Sequence, residues 1–138
     1  MSAATKPLLL FIDDDPIALD MIVKEFRSRL GEGLQYEKAQ SAAEAHELIA
    51  EEQQYNGRLP AMVICDYMMP EKMGDQFLIE LHSQYPQIPL VLHSGLADSS
   101  TVNYINQNCK LLASLPKPWD GESQLDTIQS GLRSARTA

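Results

Sequence analysis

The sequence predicts an α/β fold: a doubly wound parallel sheet of five strands, with five helices covering its two faces. Short apolar runs without polar alternation are typical of strands buried on both faces, and Leu8–Ile12 is the clearest of them. These runs alternate with helix-like segments through short connections. A length of 138 residues suits one domain with a substantial core. We expect a single domain over residues 1–138, with a core of about 7–134 and frayed ends.

The boundaries of the elements follow from apolar patterns and from end signals. Asp15 and Pro16 provide an N-cap and a first-turn proline for helix one, and Gly31 ends that helix. A capping box at Ser41 opens helix two. Helix one is expected to start near Asp15-Pro16 and to be stopped by Gly31 and Gly33. The approximate bounds of the other elements, in chain order, are strand one at Leu8–Ile12, strand two at Leu34–Lys38, helix two at Ser41–Gln54, strand three at Ala61–Cys65, helix three at Asp75–Tyr85, strand four at Leu90–His93, helix four at Asp98–Asn108, strand five at Leu111–Leu115 and helix five at Gly121–Ser134.

The composition excludes several classes of function. A net charge of −8 disfavours direct binding to nucleic acid, because an acidic surface repels the phosphate backbone. The apolar runs are too short to cross a membrane, and no secretory leader pattern opens the chain. Cys65 and Cys109 lack the spacing of a metal site, and a buried thiol is expected at Cys65. These features favour a cytoplasmic protein with reduced cysteines.

Chemically active residues follow four of the five predicted strands. Asp13 and Asp14 come after strand one, Asp66 after strand three, Ser94 after strand four and Lys117 after strand five. In a parallel sheet these positions share the edge at which α/β proteins bind ligands. Crowded carboxylates repel one another, and a hard cation such as Mg²⁺ would relieve that repulsion. With a hydroxyl and an ammonium beside it, this set suits phosphoryl transfer to a carboxylate nucleophile.

The same strand ends carry four motifs in a fixed order. They are Ile12–Pro16, Val63–Pro70 followed by Gly74, His93–Gly95 and Leu115–Trp119. With these motifs the chain resembles the receiver domain of two-component response regulators. The resemblance covers about residues 7–134. The resemblance implies a flavodoxin-like fold with strand order 2-1-3-4-5.

The resemblance also implies a role for each site residue. Asp66 would accept the phosphoryl group, while Ser94 and Lys117 would hold phosphoryl oxygens. The ligands of Mg²⁺ would be Asp13, Asp14, Asp66 and the backbone carbonyl of Met68. The Lys117-Pro118 peptide bond would be cis.

The partners implied by the resemblance are proteins. A sensor histidine kinase or a phosphotransfer protein would supply the phosphoryl group, and the chain would catalyse only its own phosphorylation and dephosphorylation. A downstream protein or a fused effector domain would contact the surface made by helix four, strand five and helix five. Direct partners among nucleic acids and membranes are not expected.

Two departures from the family pattern bear on switching and lifetime. Many receivers carry an aromatic residue three positions before the lysine, whereas this chain has Ser114, so the switch would be absent or moved to Tyr104. Met68 and Leu96 would lie over the phosphoryl group. Because bulky apolar side chains there would hinder an attacking water, we predict a phosphoaspartate that hydrolyses slowly.

Two alternatives remain from the sequence. A small Mg²⁺-dependent phosphohydrolase with an aspartate nucleophile usually carries a second acid two residues later, where this chain has Met68. The other alternative is a receiver-like binding module that is never phosphorylated. His93 is expected to be structural, because strand alternation turns it away from Ser94. Trp119 is expected to pack the start of helix five against the sheet, with its N–H near the surface.

Overall fold

The computed structural model describes residues 6–95 and 99–137. Within these ranges five strands alternate with five helices. In chain order they are β1 (Leu8–Ile12), α1 (Pro16–Leu30), β2 (Gln35–Ala39), α2 (Ala42–Asn56), β3 (Met62–Asp66), α3 (Gly74–Gln84), β4 (Leu90–His93), α4 (Ser99–Asn108), β5 (Leu111–Leu115) and α5 (Leu125–Thr137). Residues 1–5 and Ala138, part of the ends predicted to fray, lie outside the described residues.

The described strands form one sheet in the order β2-β1-β3-β4-β5, with every neighbouring pair parallel. The predicted flavodoxin-like α/β fold is confirmed. Strands β1, β3 and β4 are buried along their whole length, which explains their unbroken apolar runs. One hydrophobic cluster packs α2, α3 and α4 on one face, and a second packs α1 and α5 on the other.

The first two helices begin as the sequence predicts. The Asp15 carboxylate accepts a hydrogen bond from the backbone N–H of Ile17, at 2.9 Å, and caps α1. The Ser41 hydroxyl accepts from the backbone N–H of Glu44 at 3.0 Å and caps α2. Helix α2 continues two residues beyond the predicted end at Gln54. It ends where Gly57 adopts a left-handed conformation with φ of 63°.

The predicted start of helix five at Gly121 is wrong, because the helix begins at Leu125. The Asp120 carboxylate accepts hydrogen bonds from the backbone N–H groups of Glu122 and Ser123, both at 2.8 Å, and folds the segment into a turn. Gly121 and Gln124 have φ of 83° and 57°, which a right-handed helix excludes. The helix then extends to Thr137, beyond the predicted end.

The remaining differences are shifts of one residue. Strand β2 begins and ends one residue later than predicted, so that Ala39 pairs with Ile12. Strand β3 is displaced in the same way, so that Asp66 pairs with His93 and is the last residue of the strand. Helix α3 begins and ends one residue earlier than predicted. Asp98, the predicted start of helix four, lies outside the described residues.

Trp119 lies in the hydrophobic cluster that packs α1 and α5 against the sheet, and it also contacts α1, which the sequence did not predict. Its ring is buried and packs on Phe26 of α1, with a distance of 4.7 Å between ring centroids. Its indole N–H donates to the backbone carbonyl of Ser123 at 2.9 Å. The residue therefore joins the loop after β5 to α1 and to the segment just before α5.

Candidate functional site

Three carboxylates meet at the carboxyl edge of the sheet. Asp13 and Asp14 follow β1, and Asp66 ends the neighbouring strand β3. Carboxylate oxygens of the three residues lie within 4.8 Å of one another. Asp13 and Asp66 are buried, whereas Asp14 is exposed. The structure therefore brings together side chains that are far apart in the chain and leaves one of them open to solvent.

Lys117 reaches the same edge from the loop after β5. Its ammonium nitrogen lies 2.7 Å from Oδ2 of Asp13 and 3.4 Å from Oδ2 of Asp66. Burial disfavours the charged form of Lys117, but its hydrogen bond to Asp13 and the nearby carboxylate charges outweigh burial. The pKa of Lys117 therefore lies above its ordinary value. The lysine lies between two carboxylates and is charged at neutral pH.

The Asp66 carboxyl group has an unusual protonation equilibrium. Burial raises its pKa most, the Asp13 charge raises it further, and Lys117 partly offsets both, so that the pKa of Asp66 reaches about 6. The same carboxylate accepts a hydrogen bond from the backbone N–H of Tyr67 at 2.9 Å. At neutral pH Asp66 is mostly ionised, in surroundings that disfavour its negative charge. A bound cation would lower the free energy of that charged form.

The loop after Asp66 folds back tightly on its own strand. The backbone N–H of Gly74 donates to the carbonyl of Tyr67 at 2.8 Å. A Cβ atom at Gly74 would overlap the backbone carbonyl of Asp66, so only glycine allows this approach. Met68 lies in this loop, two residues after Asp66, and its side chain is exposed. Gly74 thus lets the loop that carries Met68 fold back against the end of β3.

Ser94 stands at the end of β4, beside the strand that carries Asp66. Its backbone N–H donates to the carbonyl of Leu115 at 3.1 Å, and the residue is buried. This bond ties Ser94 to the end of β5, just before the loop of Lys117. Leu96, which the sequence places over the phosphoryl group, lies outside the described residues.

His93 is buried on the sheet, as expected of a structural residue. Within the part of the chain that the structure describes, its Nε2 atom has no hydrogen-bond partner. Burial and the charge of Lys117 lower the pKa of His93 to about 4. The imidazole is therefore neutral at pH 7, and it adds no positive charge to the carboxylate cluster.

Sequence reasoning missed the contribution of α1 to this edge. Arg29, ion-paired with Glu25 at 3.0 Å, donates to the backbone carbonyl of Asp120 at 3.5 Å in the loop that carries Lys117. The i,i+4 spacing of Glu25 and Arg29 is that of an ordinary surface pair, so the sequence contained no signal of this contact. Ile17 and Met21, also on α1, are large exposed hydrophobic residues.

The donor set suits a hard divalent cation. Mg²⁺ prefers carboxylate oxygens and usually completes its coordination with water and phosphate. The cluster of Asp13, Asp14 and Asp66 offers such oxygens, with Asp14 exposed toward solvent. The residues present therefore fit the ion.

Comparisons with known proteins agree with this geometry. The model of the response regulator receiver domain family matches residues 9–129. The hydrogenase transcriptional regulatory protein HoxA of Cupriavidus necator is 28% identical over 127 residues, which cover 91% of this chain and 24% of that protein. The chain thus spans about a quarter of the length of that curated relative. No helix within the described residues is both long and apolar enough to cross a membrane.

Solved structures share the fold. The signal receiver domain of an HD domain-containing protein from Pseudomonas fluorescens Pf-5 superposes with a TM-score of 0.77 at 22% identity, over 96% of this chain and 99% of that chain. A CheY-like response regulator receiver domain protein from Methanospirillum hungatei JF-1 gives a TM-score of 0.75 at 21% identity, over 95% and 97%. At sequence identities this low, the solved structures support only the fold, whereas membership of the family rests on the family model. The chain belongs to the response regulator receiver domain family.

Proposed function

We propose that this receiver domain works as a phosphorylation-controlled signalling switch in which Asp66 accepts a phosphoryl group. The observation that carries the proposal is the contact of one ammonium, that of Lys117, with the carboxylates of Asp13 and Asp66 at 2.7 and 3.4 Å. A phosphoryl group transferred to Asp66 would bring new negative oxygens within reach of this ammonium. The same edge of the sheet would then hold both the acceptor and the group that neutralises developing charge.

The roles of the side chains follow from their charge and position. The ionised Asp66 carboxylate would attack phosphorus and form an acyl phosphate, while the bond from phosphorus to the donor breaks. Lys117 and the hydroxyl of Ser94 would hold phosphoryl oxygens. Asp13, Asp14, Asp66 and the backbone carbonyl of Met68 would hold Mg²⁺, which when bound supplies charge neutralisation.

The phosphoryl donor in this proposal is a protein, a sensor histidine kinase or a phosphotransfer protein. Large hydrophobic side chains are exposed at three places near the carboxylate cluster: Ile17 and Met21 on α1, and Met68 after β3. Exposed apolar residues close to a reactive group support contact with a partner surface more than with a small polar donor.

The output surface in this proposal is the one formed by α4, β5 and α5. Tyr104 of α4 is about half exposed, and the carbonyl of Ser114 accepts a hydrogen bond from Gln124 at 3.2 Å. Because Ser94 follows β4 and its backbone N–H is bonded to Leu115 at the end of β5, a shift of Ser94 toward a phosphoryl group would alter this surface. The target would be a downstream protein or a fused effector domain; HoxA, of which the match covers 24%, is named a transcriptional regulatory protein.

We assign the protein to the cytoplasm as part of the same proposal. Its two cysteines, Cys65 and Cys109, are buried free thiols. Free thiols suit a reducing compartment, where histidine kinases present their catalytic domains.

Intact-mass measurement tests the proposal. The protein is incubated with Mg²⁺ and acetyl phosphate, and we expect the mass of one added phosphoryl group, which is absent in Asp66→Asn. Lasting release of free phosphate without an adduct would instead indicate a hydrolase, and no reaction would indicate a passive binding module.

The metal is tested separately by its effect on stability. Mg²⁺ should raise the midpoint of thermal unfolding by mass action, and Asp14→Ala should remove most of that rise. Asp20→Ala, which removes an exposed carboxylate of α1, is the matched control and should keep the response. An equal response in Asp14→Ala would exclude this carboxylate as a ligand.

A further inference from the structure

The loop that carries Lys117 is fastened to α1 by an aromatic contact. The Trp119 ring is buried, packs on Phe26 at 4.7 Å between centroids and donates its N–H to the carbonyl of Ser123 at 2.9 Å. Phe26 in turn packs edge-on against Phe11 at 5.0 Å. Phe11 belongs to β1, the strand that leads directly into Asp13. Three aromatic rings therefore connect the lysine loop to the strand of its carboxylate partner.

A polar contact holds the same loop one residue further on. Arg29 donates to the backbone carbonyl of Asp120 at 3.5 Å while it is ion-paired with Glu25 at 3.0 Å. Gly121 packs directly on both side chains, since a Cβ atom at that position would overlap Glu25 and Arg29. The Asp120 carboxylate also closes the turn that follows. The loop is thus held at Trp119, at Asp120 and at Gly121.

The position of the Lys117 ammonium needs such support. A lysine side chain is flexible, and holding it in one geometry costs conformational entropy. Its side chain is 28% exposed, so burial alone does not confine it. Pro118 separates Lys117 from Trp119, and proline restricts the backbone at the joint. An anchor at Trp119 therefore limits where the base of the Lys117 side chain is placed.

We propose that Trp119 is a positioning residue, which acts through Phe26 and α1 to hold the ammonium of Lys117 between Asp13 and Asp66. Trp119 touches none of the reacting atoms. The consequence for phosphorylation rests on the proposed function, whereas the placement of the lysine does not. The two are tested by different measurements.

The placement is measured by chemical labelling of lysines. The protein without metal is treated briefly with acetic anhydride, and acetylation of each lysine is read by peptide mass spectrometry, with the exposed Lys110 as internal reference. In Trp119→Ala, the labelling rate of Lys117 relative to that of Lys110 should rise about fivefold. This is the change expected when the free energy of one aromatic contact is lost. Trp119→Phe, which keeps a ring against Phe26, should stay within about twofold of wild type.

Control variants separate positioning from general stability. Ile49→Ala removes a buried side chain of α2 on the opposite face of the sheet and should destabilise the fold without loosening the lysine loop. If Trp119→Ala does not fold, Trp119→Leu keeps apolar volume without the ring and takes its place. Unchanged Lys117 labelling in the folded Trp119 variants would overturn the inference, as would an equal rise in Ile49→Ala.

The effect on chemistry is measured with acetyl phosphate. We expect Trp119→Ala to slow phosphorylation about fivefold, in line with the loss of lysine placement. Its affinity for Mg²⁺ should stay within about twofold of wild type, because the carboxylates lie at the ends of β1 and β3, outside the loop of Trp119. An equal loss of metal affinity would contradict a role through Lys117. Absence of phosphorylation in the wild type would defeat the proposed function, while raised labelling in Trp119→Ala would still support the placement.

Discussion

Ion pairs occur at both ends of the sheet, and they differ in the balance of their charges. At the carboxyl edge, one ammonium faces Asp13 and Asp66, with Asp14 beside them. At the amino edge, the Arg58 guanidinium pairs with the carboxylate of Glu52 at 2.5 Å. Both pairs are largely shielded from solvent. The difference between the edges lies in the number of carboxylates for each cation.

The amino edge is balanced and well satisfied. Arg58 also donates to the side-chain carbonyl of Gln35 at 2.8 Å and to the backbone carbonyl of Lys6. These bonds join the end of α2, the start of β2 and the segment before β1. The carboxyl edge has more carboxylates than cations and raises the pKa of Asp66 to about 6. A balanced pair holds the fold together, whereas a surplus of negative charge leaves a site at which a cation would bind.

The largest expected effect lies at the carboxyl edge. Lys117→Met should slow phosphorylation by acetyl phosphate about a hundredfold, because one preorganised charge for the transition state is lost. The measurement is the rate of adduct formation by intact mass at saturating Mg²⁺. Lys72→Met removes another lysine near the site, one paired with Glu80 at 2.6 Å, and should leave the rate unchanged. A similar loss in both variants would remove the distinction between Lys117 and ordinary surface charge.

A substitution at the amino edge should change the stability of the fold and leave the rate of phosphorylation unchanged. Arg58→Met should lower the free energy of unfolding by about 2 kcal/mol, since Glu52 is left shielded and unpaired. Urea unfolding measures this loss, and phosphorylation of the folded variant should proceed at the wild-type rate. Lys38→Met breaks an exposed pair with Asp20 and should cost less than about 0.5 kcal/mol. A strong loss of phosphorylation in Arg58→Met would mean that the two edges are coupled.

The third prediction concerns the pH dependence of stability. The pKa of Asp66 is raised from 3.8 to about 6 on folding, so the folded protein binds a proton more tightly than the unfolded chain. The contribution of Asp66 to stability is therefore highest below pH 3.8 and declines as pH rises to about 6. Asp66→Asn should remove this decline and raise the free energy of unfolding at pH 7 by on the order of 1 kcal/mol, because the neutral amide avoids the cost of a buried charge.

Urea unfolding of Asp66→Asn and wild type between pH 4 and pH 7 measures this difference. Asp75→Asn, which changes an acid in the first turn of α3, is measured beside it as the control for the loss of one carboxylate. A wild-type protein whose stability rose across this range relative to Asp66→Asn would contradict the raised pKa of Asp66.

The smallest expected effect concerns the lifetime of the phosphorylated state. Met68 is exposed at the rim of the site, and an apolar side chain there would hinder the attacking water. Met68→Gln should speed hydrolysis of the phosphoaspartate severalfold, which corresponds to an activation free energy lower by about 1 kcal/mol. Decay of the adduct after removal of the donor measures the rate. Met21→Gln alters an exposed methionine of α1 and should leave hydrolysis unchanged.

Much of the fold could be predicted because local sequence patterns indicate the strands. Strands β1, β3 and β4 are buried along their whole length. A strand that is buried on both faces has apolar residues at nearly every position, so it appears in the sequence as an unbroken apolar run. The capping residues Asp15 and Ser41 act on backbone groups within four residues, so their function is visible in the sequence. The carboxylates and Lys117 were placed at one edge because parallel strands carry their carboxyl ends to the same side.

Other features depended on contacts between distant segments. Helix α5 starts late because Asp120, Gly121 and Gln124 form a turn that is held against α1, and apolar periodicity carries no trace of it. The contact of Trp119 with Phe26 also joins segments that are distant in the sequence, so no local pattern indicates it. The ammonium of Lys117 lies closer to Asp13 than to Asp66, a difference that no sequence pattern indicates.

The sequence by itself determined the alternation of strands and helices, the order of the site residues along the chain and the family, because burial and capping act over a few neighbouring residues. Only the tertiary structure decided how the Lys117 loop is anchored, which carboxylate its ammonium approaches most closely and how far burial raises the pKa of Asp66. These quantities depend on distances across the sheet and on the exclusion of water, which arise when distant segments pack together.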